Sequence, residues 1–276
     1  MSLPDHSYLV CANQRSGSTL LCRALSDTGV AGHPEEYFLD GPPAAFPPGW
    51  EFWERGSVAH QHGGVGDRRE YLDLVYRVGT TPNGVFGAKL MWNNVVWAVR
   101  RFREMDEFTR LRRRVDVFRA VLPNLRVVHL VRRDVVRQAV SWARAAQDGI
   151  WAVSDTDRPN PMGEPAYDYE LISNLVGLLL RGERGWKRLY AELELTPHTV
   201  WYEDLLTDDG YRTSVLGVLR HLGLDGRAEI SPPRTKRQAD GLNAEWVDRF
   251  LGEAASRHHP RLRLLLRRHR PVTSRS

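Results

Sequence analysis

The 276-residue chain has 42% hydrophobic and 26% charged residues, which are ordinary values for a globular protein and exclude disordered, collagen-like and disulfide-scaffold classes. Its net charge of +5 arises in residues 256–276, which carry seven arginines and no acidic residue, so the rest of the chain has a net charge of −2 (+5 minus +7). A body with this balance lacks the overall basic charge that is typical of nucleic-acid-binding proteins.

The first predicted elements are a strand, a loop and a helix. Residues 8–12 (YLVCA) form a continuous apolar run, which is typical of a parallel strand buried on both faces. A glycine-containing loop follows at 13–19 (NQRSGST), and apolar residues then take helical spacing over 20–25. Backbone N–H groups, hydroxyls and a helix N-terminus can together bind an anion. The residues predicted to bind phosphate are Gln14, Arg15, Ser16, Gly17, Ser18 and Thr19.

This loop differs from the phosphate loop of ATP-binding proteins. Gly17 and Thr19 fit the pattern G-x-x-x-x-G-K-[ST], but Ala12 replaces the first glycine and Ser18 replaces the lysine. The cation is instead Arg15, whose planar guanidinium can hold a phosphate or sulfate through two hydrogen bonds. An ATPase is therefore disfavoured, whereas the loop taken alone is also compatible with a simple turn and helix cap.

The rest of the chain alternates strand and helix patterns. Residues 32–66 are rich in proline, glycine and aromatic residues, which predicts an ordered loop without regular elements. Buried strands are predicted over 85–91, 125–131 and 199–202. Helices are predicted over 68–77, 94–121, 134–147 and 167–194. The alternation predicts a single α/β domain at 1–255, with a mostly parallel central sheet flanked by helices, followed by a basic tail at 256–276.

A second group of polar residues follows the third predicted strand. Arg132 and Arg133 lie where this strand ends, Asp134 occupies an N-cap position, and Ser141 lies two turns into the next helix. Because ligands of parallel sheets gather at the carboxyl ends of the strands, a guanidinium and this hydroxyl can share one phosphate. Taken alone, the two arginines would be interpreted as solvated surface charge. Together with the loop, they predict a ligand that carries two phosphates.

With these two motifs the chain resembles the sulfotransferases that use 3′-phosphoadenosine 5′-phosphosulfate (PAPS), through QRSGST and RRDVVRQAVS. It is most similar to the bacterial trehalose 2-sulfotransferase family, in YLVCANQRSGSTLL, TGVAGHPEEYF, TPNGVFGAKLMWN, DVVRQAVSWARA and RQADGLNAEWVDRF. The resemblance implies a P-loop-like, sulfotransferase/nucleoside-kinase-like architecture. It also implies in-line transfer of a sulfuryl group from PAPS to a hydroxyl of trehalose or a related glycoside. The resemblance further implies that no metal is needed and that the protein is a homodimer.

The resemblance implies three catalytic residues. Arg15 would stabilise the negative charge that grows on the leaving 5′-phosphate. Glu36 matches the family's catalytic glutamate and would accept the proton of the acceptor hydroxyl, with Glu35 as the alternative. Lys89 lies near the end of an apolar strand, where a lysine either faces a cleft or extends to the surface. It would contact the transferred sulfuryl group.

The other implied roles concern binding. The 3′-phosphate of the donor would be held by Arg132, Arg133, Ser141 and Arg237. The acceptor would be contacted by His33, Glu36, Trp92 and Asn93. The indole of Trp92 could offer an aromatic face to a sugar or could equally be a core residue.

Three departures from the family leave alternatives open. His33 stands where an acid is expected, Arg133 stands where a proline is expected, and the basic tail is additional. The acceptor could therefore be a secondary metabolite other than trehalose. A P-loop small-molecule kinase is a second hypothesis, disfavoured by the missing lysine. Binding of nucleic acid or an acidic membrane through the tail is a third.

Cysteine usage and the N-terminus bear on the compartment. Cys11 and Cys22 are the only cysteines and have no CxxC or His/Cys ligand spacing, which predicts no metal site and a reducing compartment. The N-terminal sequence lacks the apolar length of a signal peptide or a spanning helix. We therefore expect a cytoplasmic protein that acts on a small-molecule alcohol or sugar, without nucleic acid and without stable membrane insertion.

Overall fold

A computed structural model of the chain describes residues 3–38, 68–151, 163–224, 229–232 and 241–257. Within these ranges four strands form one parallel sheet: β1 (His6–Ala12), β2 (Val85–Met91), β3 (Arg126–Val131) and β4 (His198–Trp201). All four strands predicted from apolar runs are confirmed, with ends that differ by two residues at most.

Eight α-helices cover the described part of the sheet. They are α1 (Ser18–Asp27), α2 (Arg68–Gly79), α3 (Val95–Arg103), α4 (Arg114–Val121), α5 (Val135–Asp148), α6 (Tyr169–Leu193), α7 (Asp208–Leu222) and α8 (Gly241–Ser256). The predicted helices at 68–77, 134–147 and 167–194 are confirmed. Helices α7 and α8 were not predicted.

The prediction of one helix over 94–121 is wrong, because α3 and α4 are separate. The chain between them contains a 3-10 turn at Asp106–Phe108, and Met105 before it is extended (φ −90°, ψ 139°) and buried. The side chain of Arg103 donates from Nε to the carbonyl oxygen of Leu111 at 2.8 Å and so gives the backbone of this connection a hydrogen-bond partner. Apolar residues keep helical spacing through the break, which is why the pattern predicted a continuous helix.

The strand order places the loop after β1 at a topological switch point. The order is β2-β1-β3-β4, so the chain runs from β1 to one neighbour and then returns to the other side of β1. Ala12 is in register with Met91 and Leu130, so the carboxyl ends of β1, β2 and β3 lie level. Open α/β sheets bind ligands outside the carboxyl ends of the strands at such a point.

Both faces of the sheet are buried. One face, with Leu9 and Phe86, packs against α2, α3, α4 and α6, and the other, with Val10 and Leu130, packs against α1 and α7. A third apolar cluster joins α5, α6 and α8. Burial on both faces explains why the strands are continuous apolar runs in the sequence. No helix in the described ranges has the length and apolar character needed to cross a membrane.

Several predicted features lie outside the described residues. They include Arg237, most of the predicted loop at 32–66, and the tail beyond Arg257. Helix α8 ends at Ser256, where the tail was predicted to begin. Arg257 pairs with Glu170 at 2.8 Å and lies 4.0 Å from the Tyr169 ring centroid, so the first residues of the tail pack on the start of α6.

Candidate functional site

The loop that follows β1 makes a tight turn into α1. Arg15 (φ 61°) and Gly17 (φ 84°) both have left-handed backbone. Gly17 is the N-cap of α1 and provides no side-chain cap, so the first N–H groups of the helix remain available to an anion. A Cβ on Gly17 would lie 2.6 Å from the Tyr202 ring. Both the backbone conformation and the space therefore require glycine at this position.

The hydroxyl of Ser16 lies in the same turn and indicates a ligand. Ser16 is 1% exposed, and its Oγ has no hydrogen-bond partner among the described residues. An unsatisfied buried polar group costs about 1–3 kcal/mol, a cost that a bound acceptor oxygen would remove. The narrow glycine turn, the uncapped helix and this hydroxyl together fit a phosphate or sulfate group.

The two motifs that the sequence assigns to phosphates meet at one edge of the sheet. Arg15 Nε donates to Ser141 Oγ at 3.0 Å, and Arg15 Nη1 donates to the carbonyl oxygen of Trp151. Arg132 Nη1 donates to the carbonyl oxygen of Arg15 at 3.1 Å. Residues that are 126 positions apart in the sequence are thus in direct contact. The geometry is that expected of a single site for a ligand with two anionic groups.

Two partly buried guanidinium groups give this edge a concentrated positive charge. Burial, and then the charge of Arg132, lower the pKa of Arg15 to about 10, and Arg144 contributes in the same direction. Burial also lowers the pKa of Arg132, whose guanidinium lies 4.5 Å from the Tyr202 ring centroid in a cation–π contact. Arg15 keeps its charge near neutral pH, and an anionic ligand would offset the repulsion between the two cations.

Arg133 takes part in a different set of contacts. Its Nη1 lies 3.2 Å from Asp204 Oδ1 and 3.6 Å from Glu203 Oε2, and its guanidinium stacks on the Trp201 ring at 4.5 Å. These contacts engage the side chain with the turn after β4. Arg133 as a second phosphate donor therefore stays a prediction, as does Arg237.

Glu36 forms an ion pair with Lys89, a buried residue of β2. Lys89 Nζ lies 3.0 Å from Glu36 Oε1, and the side chains are 7% and 20% exposed, respectively. Burial lowers the pKa of Lys89, but Glu36, Cys22 and Glu35 together raise it by more, so the pKa lies above its ordinary value. Such burial is incompatible with the alternative of a lysine that extends to the surface. Both residues were predicted to be catalytic, but their contact with each other was not predicted.

The backbone of Glu35 fixes the segment that carries this pair. Glu35 forms a parallel bridge with Ala88, and its carbonyl oxygen accepts from the Lys89 N–H at 2.9 Å. Burial raises the pKa of the Cys22 thiol to about 12, while Lys89 lowers it and the two glutamates raise it. The charges of this segment therefore act on a thiol of α1, the helix that begins at the phosphate loop.

The residues predicted to contact an acceptor lie in different environments. Asn93 is exposed, and its Oδ1 accepts from Gln14 Nε2 at 2.5 Å, which connects the end of β2 to the loop. The Trp92 ring packs edge-on against Trp186, 5.2 Å between centroids, which favours the core role for this indole. His33 is exposed. Acceptor binding by these residues stays a prediction.

Two side chains that support the loop were not predicted from the sequence. Gln138 Nε2 donates to the carbonyl oxygen of Gln14 at 2.7 Å, and Gln138 lies one turn before Ser141 on α5. Tyr202 contacts Gly17 and Arg132 from the end of β4. Their positions in the sequence could have indicated them. Gln138 shares a helix face with Ser141, and Tyr202 follows a strand at its carboxyl end.

The two cysteines are buried free thiols. In the part of the chain that the structure describes, no three His, Cys, Asp or Glu side chains are grouped so that they could hold a metal ion. The candidate site is therefore built from arginines, hydroxyls, backbone N–H groups and one Lys–Glu pair.

Comparison with known proteins relates the chain to one family. Residues 7–253 match the model of the Stf0 sulphotransferases. The chain is 35% identical to a trehalose 2-sulfotransferase of Mycolicibacterium smegmatis, over 91% of this chain and 97% of that protein. It is 34% identical to a trehalose 2-sulfotransferase of Mycobacterium tuberculosis, over 92% and 97%. A solved sulfotransferase of Alicyclobacillus acidocaldarius aligns over 92% of this chain and 94% of its own, with a TM-score of 0.48 and 13% identity.

Proposed function

The chain belongs to the Stf0 sulphotransferase family and is a sulfotransferase, and we propose that it transfers a sulfuryl group from PAPS to a hydroxyl of trehalose. The observation that carries the donor assignment is the contact between Arg15 and Ser141, which joins the two anion motifs into one site. The acceptor assignment is supported by 34–35% identity to two trehalose 2-sulfotransferases.

The phosphate loop would hold the 5′ end of the donor. The Ser16 hydroxyl, which has no hydrogen-bond partner among the described residues, and the first N–H groups of α1 would bind its phosphate oxygens. Arg132 and Ser141 would bind the 3′-phosphate, with Arg15 between the two sites. The ligand would then replace the direct contact of Arg15 with Ser141 by contacts of each residue with an oxyanion.

The donor supplies a sulfuryl group attached to a good leaving group, its 5′-phosphate. The acceptor oxygen bonds to sulfur as the S–O bond to that phosphate breaks, and Glu36 accepts the hydroxyl proton. Arg15 stabilises the negative charge that grows on the departing oxygen. Lys89, whose Nζ lies 3.0 Å from Glu36 Oε1, would contact the sulfuryl oxygens and offset their negative charge.

Titration calorimetry with adenosine 3′,5′-bisphosphate tests the donor assignment. We expect saturable binding of one bisphosphate per chain and no comparable binding of Mg-ATP, because Ser18 stands where ATP-binding loops carry their lysine. Tight binding of Mg-ATP without binding of the bisphosphate would instead support a P-loop kinase.

Substitution of Gly17 by alanine is expected to weaken bisphosphate binding by about tenfold or more, because a left-handed alanine costs about 1–2 kcal/mol and the loop would leave its anion-binding conformation to avoid that cost. The new methyl group would also meet the Tyr202 ring. Gly29→Ala is the matched control, because Gly29 also has a positive φ (68°) but a methyl group added there would have no atom within 4 Å. Calorimetry of both variants checks the prediction, and equal affinities would contradict it.

A further inference from the structure

Helix α6 packs closely against the start of the phosphate loop. The indole of Trp186 is fully buried and donates from Nε1 to the carbonyl oxygen of Ala12 at 3.0 Å. A Cβ on Gly182 would collide with the side-chain oxygen of Asn13. The helix backbone therefore approaches the loop within a distance that only glycine permits, and α6 fixes the point at which the loop leaves β1.

Glu183 makes a further contact between α6 and the loop. Its Oε1 accepts from Asn13 Nδ2 at 2.7 Å, and its Oε2 lies 3.3 Å from His129 Nε2. The Glu183 side chain is 27% exposed, His129 is 6% exposed and Asn13 is 4% exposed. The carboxylate thus lies beside a buried imidazole on β3 and accepts a hydrogen bond from Asn13, the first residue of the loop.

We propose that Glu183 is a positioning residue of the donor site, an inference that rests on the proposed function. A buried amide needs a partner, and a carboxylate gives it a stronger hydrogen bond than a neutral acceptor would. The bond orients Asn13 and, through its backbone, the N–H groups of the next residues that face the phosphate.

The charge of Glu183 argues for the same role. A carboxylate near an anion site repels the ligand and by itself lowers anion affinity. Its hydrogen bond with Asn13 Nδ2 at 2.7 Å orients the Asn13 side chain, and this effect offsets the loss of anion affinity. Glu183 therefore acts on the donor through Asn13 and not by direct contact.

Two substitutions of Glu183 separate orientation from charge. Glu183→Ala removes the acceptor for Asn13 and is expected to raise the Kd for adenosine 3′,5′-bisphosphate by about tenfold, in line with the loss of one hydrogen bond to a charged group. Glu183→Gln keeps an acceptor for Asn13 and can donate to His129, so its Kd is expected within about threefold of the unchanged chain. In steady-state kinetics, Glu183→Ala should raise the KM for PAPS and leave the KM for the acceptor unchanged.

A double-mutant cycle tests whether Glu183 acts through Asn13. In an Asn13→Ala background, Glu183→Ala should change the Kd no further. If both changes weaken binding independently, or if Glu183→Gln binds as poorly as Glu183→Ala, the proposed role is wrong. Should Glu183→Ala not fold, Asn13→Ala must weaken binding to a similar extent while Glu183→Gln does not.

The control lies on the same helix. Glu192 pairs with Arg114 at 2.5 Å on the exposed part of α6, so Glu192→Ala removes an α6 ion pair and should leave the Kd unchanged. If the unchanged chain does not bind the bisphosphate, the proposed function fails. If it binds and Glu183→Ala binds equally tightly, only the role of Glu183 fails.

Discussion

Replacement of Arg15 by alanine is expected to lower kcat by about 10²- to 10³-fold, the loss measured when one donor to a developing oxyanion is removed. Arg15 is held at the loop by its contacts with Ser141 and the Trp151 carbonyl, and Arg132 binds its backbone oxygen. Its pKa of about 10 keeps the guanidinium charged under assay conditions near neutral pH. Steady-state kinetics with PAPS and trehalose provide the measurement.

Four further variants test whether this result is specific to Arg15. Arg15→Lys keeps the charge but loses the planar fork, so it should recover only part of the activity. Arg133→Ala should lower the activity less than Arg132→Ala does, because the Arg133 side chain contacts Asp204 and Glu203. Arg100→Ala removes an exposed arginine of α3 and should have no effect on kcat. A kcat of Arg15→Ala close to that of the unchanged chain would exclude the assigned role.

Substitution of Glu36 by glutamine should lower kcat by about 10²- to 10⁴-fold, the range of contributions made by a general base. The change keeps the shape of the side chain but removes the group that accepts the proton. It also leaves the buried Lys89 ammonium without its carboxylate at 3.0 Å. Binding of adenosine 3′,5′-bisphosphate should change little, because Glu36 is assigned to the hydroxyl of the acceptor and not to the donor phosphates.

Glu35→Gln is the matched control for this substitution. Glu35 is the neighbouring residue, its side chain is exposed, and its contribution to the fold is the backbone bridge to Ala88, which glutamine retains. We expect kcat within about twofold of the unchanged chain, as for a surface change away from the chemistry. A larger loss in Glu35→Gln than in Glu36→Gln would reverse the assignment of the base.

Part of the fold could be predicted because its signal is local. The strands are continuous apolar runs, and burial on both faces of a parallel sheet requires this composition. The break between α3 and α4 has no signal in the sequence, because buried Met105 continues the helical spacing of apolar residues. Helix α7 was missed although Tyr211, Val215 and Val218 lie on one face and are buried. Gly210 and Gly217 lower the helical propensity of this segment.

The site could be predicted only as separate motifs. The loop and the Arg132–Ser141 element each have a local pattern, and the switch-point rule brings them to one edge of the sheet. The bond between Asn13 and Glu183 joins residues 170 positions apart, and no periodicity encodes such a contact. The Glu36–Lys89 pair likewise depends on the bridge that lays Glu35 along β2.

Transfer of labelled sulfate from PAPS to trehalose, followed by chromatography of the products, tests the central claim most directly. We expect label to appear on trehalose together with one adenosine 3′,5′-bisphosphate per sulfate, and both signals to fall in Arg15→Ala and Glu36→Gln. Failure to label trehalose or any other sugar or alcohol, with a folded chain and intact PAPS, would contradict the account. Label on another acceptor, with trehalose unlabelled, would retain the donor site and overturn the trehalose assignment.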